Sequence, residues 1–292
     1  MPLMIVFIGG VSIALSLLFF LPSHWPTGSI LVPRDISTLR EALERIEPGG
    51  TIVLQAGKGP FHGPVVVATD GITIASTGIA SLEGEGGEPA IAIRADGVAV
   101  NGLRVTAPAI GISVEGSGCR LDRIFVDSTP IGIRITSSSQ GEFSSIRIEK
   151  SDTAFEVSSC VGSSFRDLTV VSPTDTGIVL IDSRANLISG VRISGGKIGI
   201  SLEGSDGNEV FAVVVEGCTE AGVRFSASNE NRFADGSLKR VETGVVIENA
   251  QGNIVESCRI EDAVIGCSLH QAVQNGITRT SFLDIHDTGV IV

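Results

Sequence analysis

The sequence predicts an all-β fold: a single-stranded parallel β-helix of about ten coils of about 22 residues, with an N-terminal capping helix, preceded by a hydrophobic segment. Three observations predict it. First, a short pattern (apolar, small, apolar, any, apolar) recurs down the chain, as in IGIRI at Ile131, IGISL at Ile198 and TGVIV at Thr288. Its small residue falls at Gly111, Gly132, Ala154, Gly177, Gly199, Gly222, Gly244, Gly266 and Gly289, at intervals of 21 to 23 residues. Second, apolar and polar residues alternate around that small residue with the period of a strand. Third, no helical pattern follows Glu47. Strands without crossover helices stack coil on coil, so residues at equal offset in neighbouring repeats should lie directly above one another.

Composition agrees. The chain has 292 residues, 42% hydrophobic and only 18% charged, with 36 glycines. That balance excludes a disordered chain. The net charge of −12 argues against nucleic acid, which demands a basic face.

Three segments follow in order. Residues 1–29 read as a signal peptide or membrane anchor. Leu3 to Leu21 is an uncharged apolar run long enough to span a bilayer, and Trp25 beyond it suits an interfacial position. No basic region or A-x-A cleavage site accompanies it, so an uncleaved anchor is the favoured reading and a cleaved signal the other. Either one exports the rest of the chain. Residues 30–54 form the cap. Leu39, Ala42, Leu43 and Ile46 share one helical face, Thr38 and Glu41 can form a capping box, and Pro48-Gly49-Gly50 stops the helix, which is expected over 37–47. Thr51 to Leu54 is the first strand. Residues 55–292 are the repeats, with weaker early copies at ITIAS from Ile72 and IAIRA from Ile91.

Within a repeat, with the small residue as zero, offset +9 is Asn186, Asn208, Asn231, Asn253 and Asn275 in consecutive coils. An asparagine column is expected at a turn, where asparagine tolerates the left-handed backbone and stacked amides bond from coil to coil. Offsets +11 and +16 hold Phe, Ile, Val or Leu and point inward. The five cysteines, Cys119, Cys160, Cys218, Cys258 and Cys267, occupy different offsets and read as small apolar core residues rather than a disulfide framework.

On these residues the chain resembles the right-handed parallel β-helix proteins of the pectin-lyase-like superfamily. The capping helix followed by EPGGTIVLQAG (Glu47 to Gly57), the asparagine ladder and the GIxI strand carry the resemblance, which covers about Ile30 to Val292. The superfamily includes polysaccharide lyases, galacturonases, uronan epimerases, pectin esterases, phage tailspikes and periplasmic copper-accessory proteins. The fold does not select among these activities.

Candidate chemistry was sought by column. The resemblance implies calcium for lyases, but no two carboxylates stack on adjacent coils at the outward offsets +2 and +4, so no carboxylate cluster supports Ca2+ and no cofactor is expected. Asp-Asp pairs and an Asp-Pro-His-Asp stretch are absent. The best catalytic group is Arg224, Glu248 and His270: Glu248 and His270 share the +4 column on neighbouring coils, and Arg224 lies one coil back. The same residues also read as part of an exposed polar ladder, like Arg134 on Glu156 or Glu216, Lys239 and Glu261. Copper needs Cys, Met or His donors. Met occurs only at Met1 and Met4, and His62, His270 and His286 differ in phase, so the metal role of the copper-accessory proteins does not carry over.

Coil length barely varies, so no inserted loop is expected to wall a cleft, the exception being the Gly-rich stretch from Gln55 to Pro64 with Phe61 and His62. Two functions follow. The favoured one is an exported or membrane-tethered surface or envelope protein, extracytoplasmic, acting as a binding or structural module towards polysaccharide. The alternative is a polysaccharide lyase or epimerase. Expected partners are a polysaccharide or envelope component, the membrane through residues 3–21, and a protein at the uncapped edge that ends at Val292.

Overall fold

The computed structural model describes residues 25–292, and the apolar run of residues 3–21 lies outside them. Among the described residues no helix is long and apolar enough to cross a membrane. The chain is a right-handed parallel β-solenoid of about 12 turns, with every strand pairing in parallel with its counterpart one coil away. Two turns more than expected come from the N-terminal end. Ile30–Val32 is itself a strand, in register with Thr51–Leu54, and precedes the helix.

The helix spans Leu39–Arg45, shorter than the expected 37–47. The Thr38 hydroxyl accepts the Glu41 backbone N–H (3.2 Å), so Thr38 is the cap and not a helical residue. The Glu41 carboxylate completes no capping box; it takes the Ser37 hydroxyl (2.9 Å) and Arg45 (3.2 Å). Ile46 is already extended. Leu39 and Ala42 seal the first coil.

Each regular coil has three strands. In one coil these are Ile131–Thr136, Glu142–Ser144 and Arg147–Glu149. Stacked, they make three faces, called here the first, second and third. ITIAS, expected to copy the GIxI strand, belongs instead to the second face: Thr73 pairs with Ala99 and Thr51. The first-face strand of that coil is Val65–Val67, which pairs with Ile91–Ile93. Three valines lack the small residue that marks the pattern, so the sequence hid it.

Strands are joined at corners where one residue adopts positive φ. Ser137, Gln140, Ser145 and Lys150 do so in one coil; Ala227, Glu230, Asp235 and Arg240 do so at the same offsets four coils on. These are ordinary residues in a region that favours glycine, so the corner geometry is imposed by the stacked strands on either side. The asparagines of the +9 column are not the left-handed residues. That role falls to the residue before each: Ala185, Gly207, Glu230, Gly252 and Gln274.

The asparagines instead point inward; Asn186, Asn208, Asn231 and Asn253 are buried and Asn275 is half-buried. Asn208 Oδ1 accepts both the backbone N–H (2.9 Å) and the Nδ2 (3.0 Å) of Asn186, and the arrangement repeats through Asn231 and Asn253 to Asn275. A serine ladder, unforeseen, lies three residues upstream: the hydroxyls of Ser183, Ser205 and Ser228 each accept a backbone N–H from the coil above, at 2.9 to 3.0 Å. Both ladders satisfy backbone donors that the tight corner would otherwise strand in the core.

The rest of the core is mainly apolar. Phe143 stacks on Phe165 (5.0 Å between ring centroids) and Phe155 meets Phe165 edge-on. The glycine column is a matter of space, not of φ. A Cβ on Gly132 would stand 2.6 Å from the Ala154 carbonyl oxygen and 2.8 Å from a methyl of Ile148. All five cysteines are buried and unpaired.

Candidate functional site

The outward residues of the first face run in two columns along the axis. One passes through Val66, Ala92, Ser113, Arg134 and Glu156 to Ser201, Arg224 and Val246. The other includes Ser226, Glu248 and His270. Glu248 and His270 are in register on neighbouring strands. Arg224 does not join them: it lies opposite Val246, and its guanidinium reaches back to Glu220 at 3.7 Å. Its Nε is buried without a hydrogen-bond partner. The three residues therefore share a face, but the arginine points toward the strand's start and the other two lie at its end. His270 is exposed.

Concavity occurs elsewhere on this face. A cleft of about 460 Å3 lies at the N-terminal end, between the helix and the column floor. It continues into a second of about 290 Å3 over the next coils. Val66, Ala92 and Ser113 form the floor. Leu43 and Glu44 of the helix close one end, and Glu88 and Pro89 stand as a wall. That wall is an insertion. Seven residues, Gly84 to Ala90, join Glu83 to Ile91, whereas five, Lys150 to Ala154, join Glu149 to Phe155, which holds the place of Ile91 in the register. The regular spacing of small residues begins only at Gly111, so it carries no mark of this wall. The Gly-rich stretch from Gln55 to Pro64, the one exception in the sequence, reaches the cleft through Pro64; Phe61 is buried and Phe61–His62 pairs with Leu82–Glu83 on the third face. The interval from Thr73 to its partner Ala99 is 26 residues, but the bulge between Ala75 and Ala80 accounts for most of the excess and the wall only for the rest.

Charge in the cleft is mixed. Arg40 donates to the Pro64 carbonyl (2.7 Å), Arg94 sits 3.8 Å from Glu115, and Arg134 is held bidentately by Glu156 (2.7 and 3.3 Å). Such a cleft offers forked donors and carboxylate acceptors beside an apolar floor, the means of orienting a polyhydroxylated ligand.

The donor set for a metal is poor. Among the described residues no three His, Cys, Asp or Glu side chains converge. His286 is engaged by Asp262 (2.9 Å), and His62 lies near Glu85 (4.0 Å). The cysteines are core residues whose thiols burial keeps protonated: Cys258 is pushed up to about 11, Cys218 and Cys267 to about 12. A copper ligand must be a thiolate, a thioether or a free imidazole, and the described residues do not gather any set of these.

A family model described as periplasmic copper-binding protein (NosD) matches residues 93–286, more than half of the chain. No curated protein sequence matches it. Among solved structures, an alginate lyase from Paenibacillus sp. str. FPU-7 superposes with a TM-score of 0.53 at 17% identity, over 87% of this chain and 98% of that one. The catalytic unit of a thermostable GH87 alpha-1,3-glucanase from Streptomyces thermodiastaticus strain HF3-3 gives 0.60 at 12% identity, over 91% and 66%. The periplasmic alginate epimerase AlgG gives 0.53 at 11% identity, over 87% and 83%. At these identities the likeness is one of fold.

Proposed function

The chain belongs to the NosD family, and on that premise we propose that it is an exported β-helix protein of the cell envelope that binds polysaccharide without turning it over. The family's description as periplasmic supports the extracytoplasmic location, with residues 3–21 as tether or export signal. The copper-binding half of that description finds no matching donor set in the described residues and is not part of this reading.

One observation carries the proposal: the walled cleft at the N-terminal end of the first face. It follows the axis, so an extended polymer fits it better than a compact ligand. Coils repeat at about 4.8 Å, close to the length of one sugar unit in a linear glycan. Three of the structural neighbours are, by name, enzymes of polysaccharides, which raises the prior for a glycan ligand without assigning one.

The second reading is a lyase or epimerase, favoured by the in-register pair Glu248 and His270. The test is to incubate the purified protein with acidic and neutral polysaccharides. Retention on each immobilised glycan, unsaturated-sugar absorbance, new reducing ends and the NMR signature of C5 inversion would be read together. Retention with no product is the expected result. A product from the wild type that disappears in Glu248→Gln or His270→Ala would replace the binding module with an enzyme.

A further inference from the structure

On the third face, the first outward residue of each strand forms a second axial column. Arg104, Phe125, Arg147, Thr169 and Arg192 stack in that order, each in register with the next. Arginine thus recurs on every second coil, at intervals of about 10 Å from the coil spacing. Val214 and Ser237 then separate Arg192 from Arg259.

All three leading arginines are exposed. Elsewhere on the coils cations are mostly spent on carboxylates, as in Arg134 with Glu156, Lys197 with Asp175, and Arg232 with Glu256. Among the three leading arginines only Arg147 is so held, by Glu149 of its own strand, as Arg259 is by Glu261 further on. Arg104 lies over the ring of Phe125, 3.9 Å from its centroid. The Arg192 side chain makes no ion pair or hydrogen bond among the described residues, and neither does that of Arg166, exposed just across the corner and one coil above it. A chain of net charge −12 therefore keeps a file of exposed arginines on one face, of which Arg104 and Arg192 have no carboxylate partner among the described residues.

We propose that this column binds a linear polyanionic glycan, laid along the solenoid axis with acidic groups meeting alternate coils. A guanidinium fork takes a carboxylate or sulfate through two parallel hydrogen bonds. A rigid file of forks matches a polymer whose charges repeat at a fixed interval. The half-buried Phe125 ring supplies an apolar step between the first two forks. The column is one residue wide and flanked by Asp127, Glu149 and Asp167, so a broad anionic plane such as a lipid surface meets those acids as well, whereas a thin chain does not. The inference deepens the polysaccharide reading and rests on it, but places the charged part of the ligand on a different face from the cleft.

The test uses the full chain on immobilised polygalacturonate, on neutral dextran and laminarin, and on phosphatidylglycerol–phosphatidylcholine vesicles. Wild type is expected to bind polygalacturonate, more weakly as salt rises. The triple variant Arg104→Gln, Arg147→Gln, Arg192→Gln should bind at least about tenfold more weakly, and Arg259→Gln within about twofold of wild type. All three arginines are exposed, so unfolding midpoints should coincide and separate lost binding from lost fold. Equal binding by the triple variant overturns the proposal. Binding to dextran or laminarin but not polygalacturonate overturns it and leaves the polysaccharide reading standing. Binding to vesicles but not polygalacturonate overturns it in favour of a membrane surface. Binding to no glycan overturns both.

Discussion

The coils before Ile110 and the coils after it obey the same backbone pairing and yet present opposite surfaces. After Ile110 the cleft runs on over only two coils, as far as Thr136, and beyond it the corners repeat and serine and asparagine ladders run unbroken through several coils. Before Ile110 there is a helix, a seven-residue Gly-rich link and a cleft. The difference teaches that strand pairing alone builds the rod, while relief on its surface comes from departures in coil length. A side-chain ladder needs identical corners in adjacent coils. A wall needs one corner that differs.

Three substitutions or conditions break or sharpen that contrast. The largest effect is expected from Asn231→Ala. It removes the acceptor for the backbone N–H (2.8 Å) and Nδ2 (3.1 Å) of buried Asn208, and the donor to Ser205 and Asn253. A loss of about 2–5 kcal/mol should follow, against less than about 0.5 for Glu88→Ala in the cleft wall. Urea midpoints of the two variants check it, and equal shifts would erase the contrast.

An intermediate effect is expected at alkaline pH. All five cysteines lie in the later coils, and burial raises the thiols of Cys218, Cys258 and Cys267 to about 12, 11 and 12 from an unfolded value of 9.0. A folded pKa above the unfolded one gives stability that is whole below pH 9 and lost as pH rises towards 11 and 12. Each thiol then costs about 1 kcal/mol by about pH 10. Melting temperature should fall above pH 9, and fall less steeply in Cys218→Ala. A parallel decline in the variant would show that the thiols are not responsible.

The smallest effect is expected from Ser151→Ala. The Ser151 hydroxyl is buried with no hydrogen-bond partner, unlike the serines of the ladder. Its removal should leave stability unchanged or raise it by up to about 1 kcal/mol. A drop of that size would mean the hydroxyl is bonded after all.

What the sequence disclosed depended on whether a constraint acts on residue type. The glycine column was legible because a Cβ there meets a carbonyl and a methyl in nearly every coil. The asparagine column was legible in position, but its cause was misread: asparagine serves as an inward acceptor, and the left-handed turn falls on Ala185 or Glu230, types that advertise nothing. Two early turns escaped because VVV carries no small residue. In the candidate site, the register of Glu248 with His270 could be counted. The turn of Arg224 towards Glu220 could not, since rotamer choice leaves no mark on spacing. The arginine column was hidden by the phenylalanine and threonine that interrupt it.

The hydrogen bonds between coils point along the long axis. A pull on the two ends would therefore load each coil-to-coil seam in tension, with all the bonds of one seam sharing the force and the seams arranged in series. Failure under such a load would be the parting of one whole seam, not a zipper running through many. The same rod pushed from the side would bend against covalent chain on all three faces. The proposed tether at the N-terminal end would deliver force in the first of these directions, onto the seam where Ile30–Val32 meets Thr51–Leu54 through three paired residues.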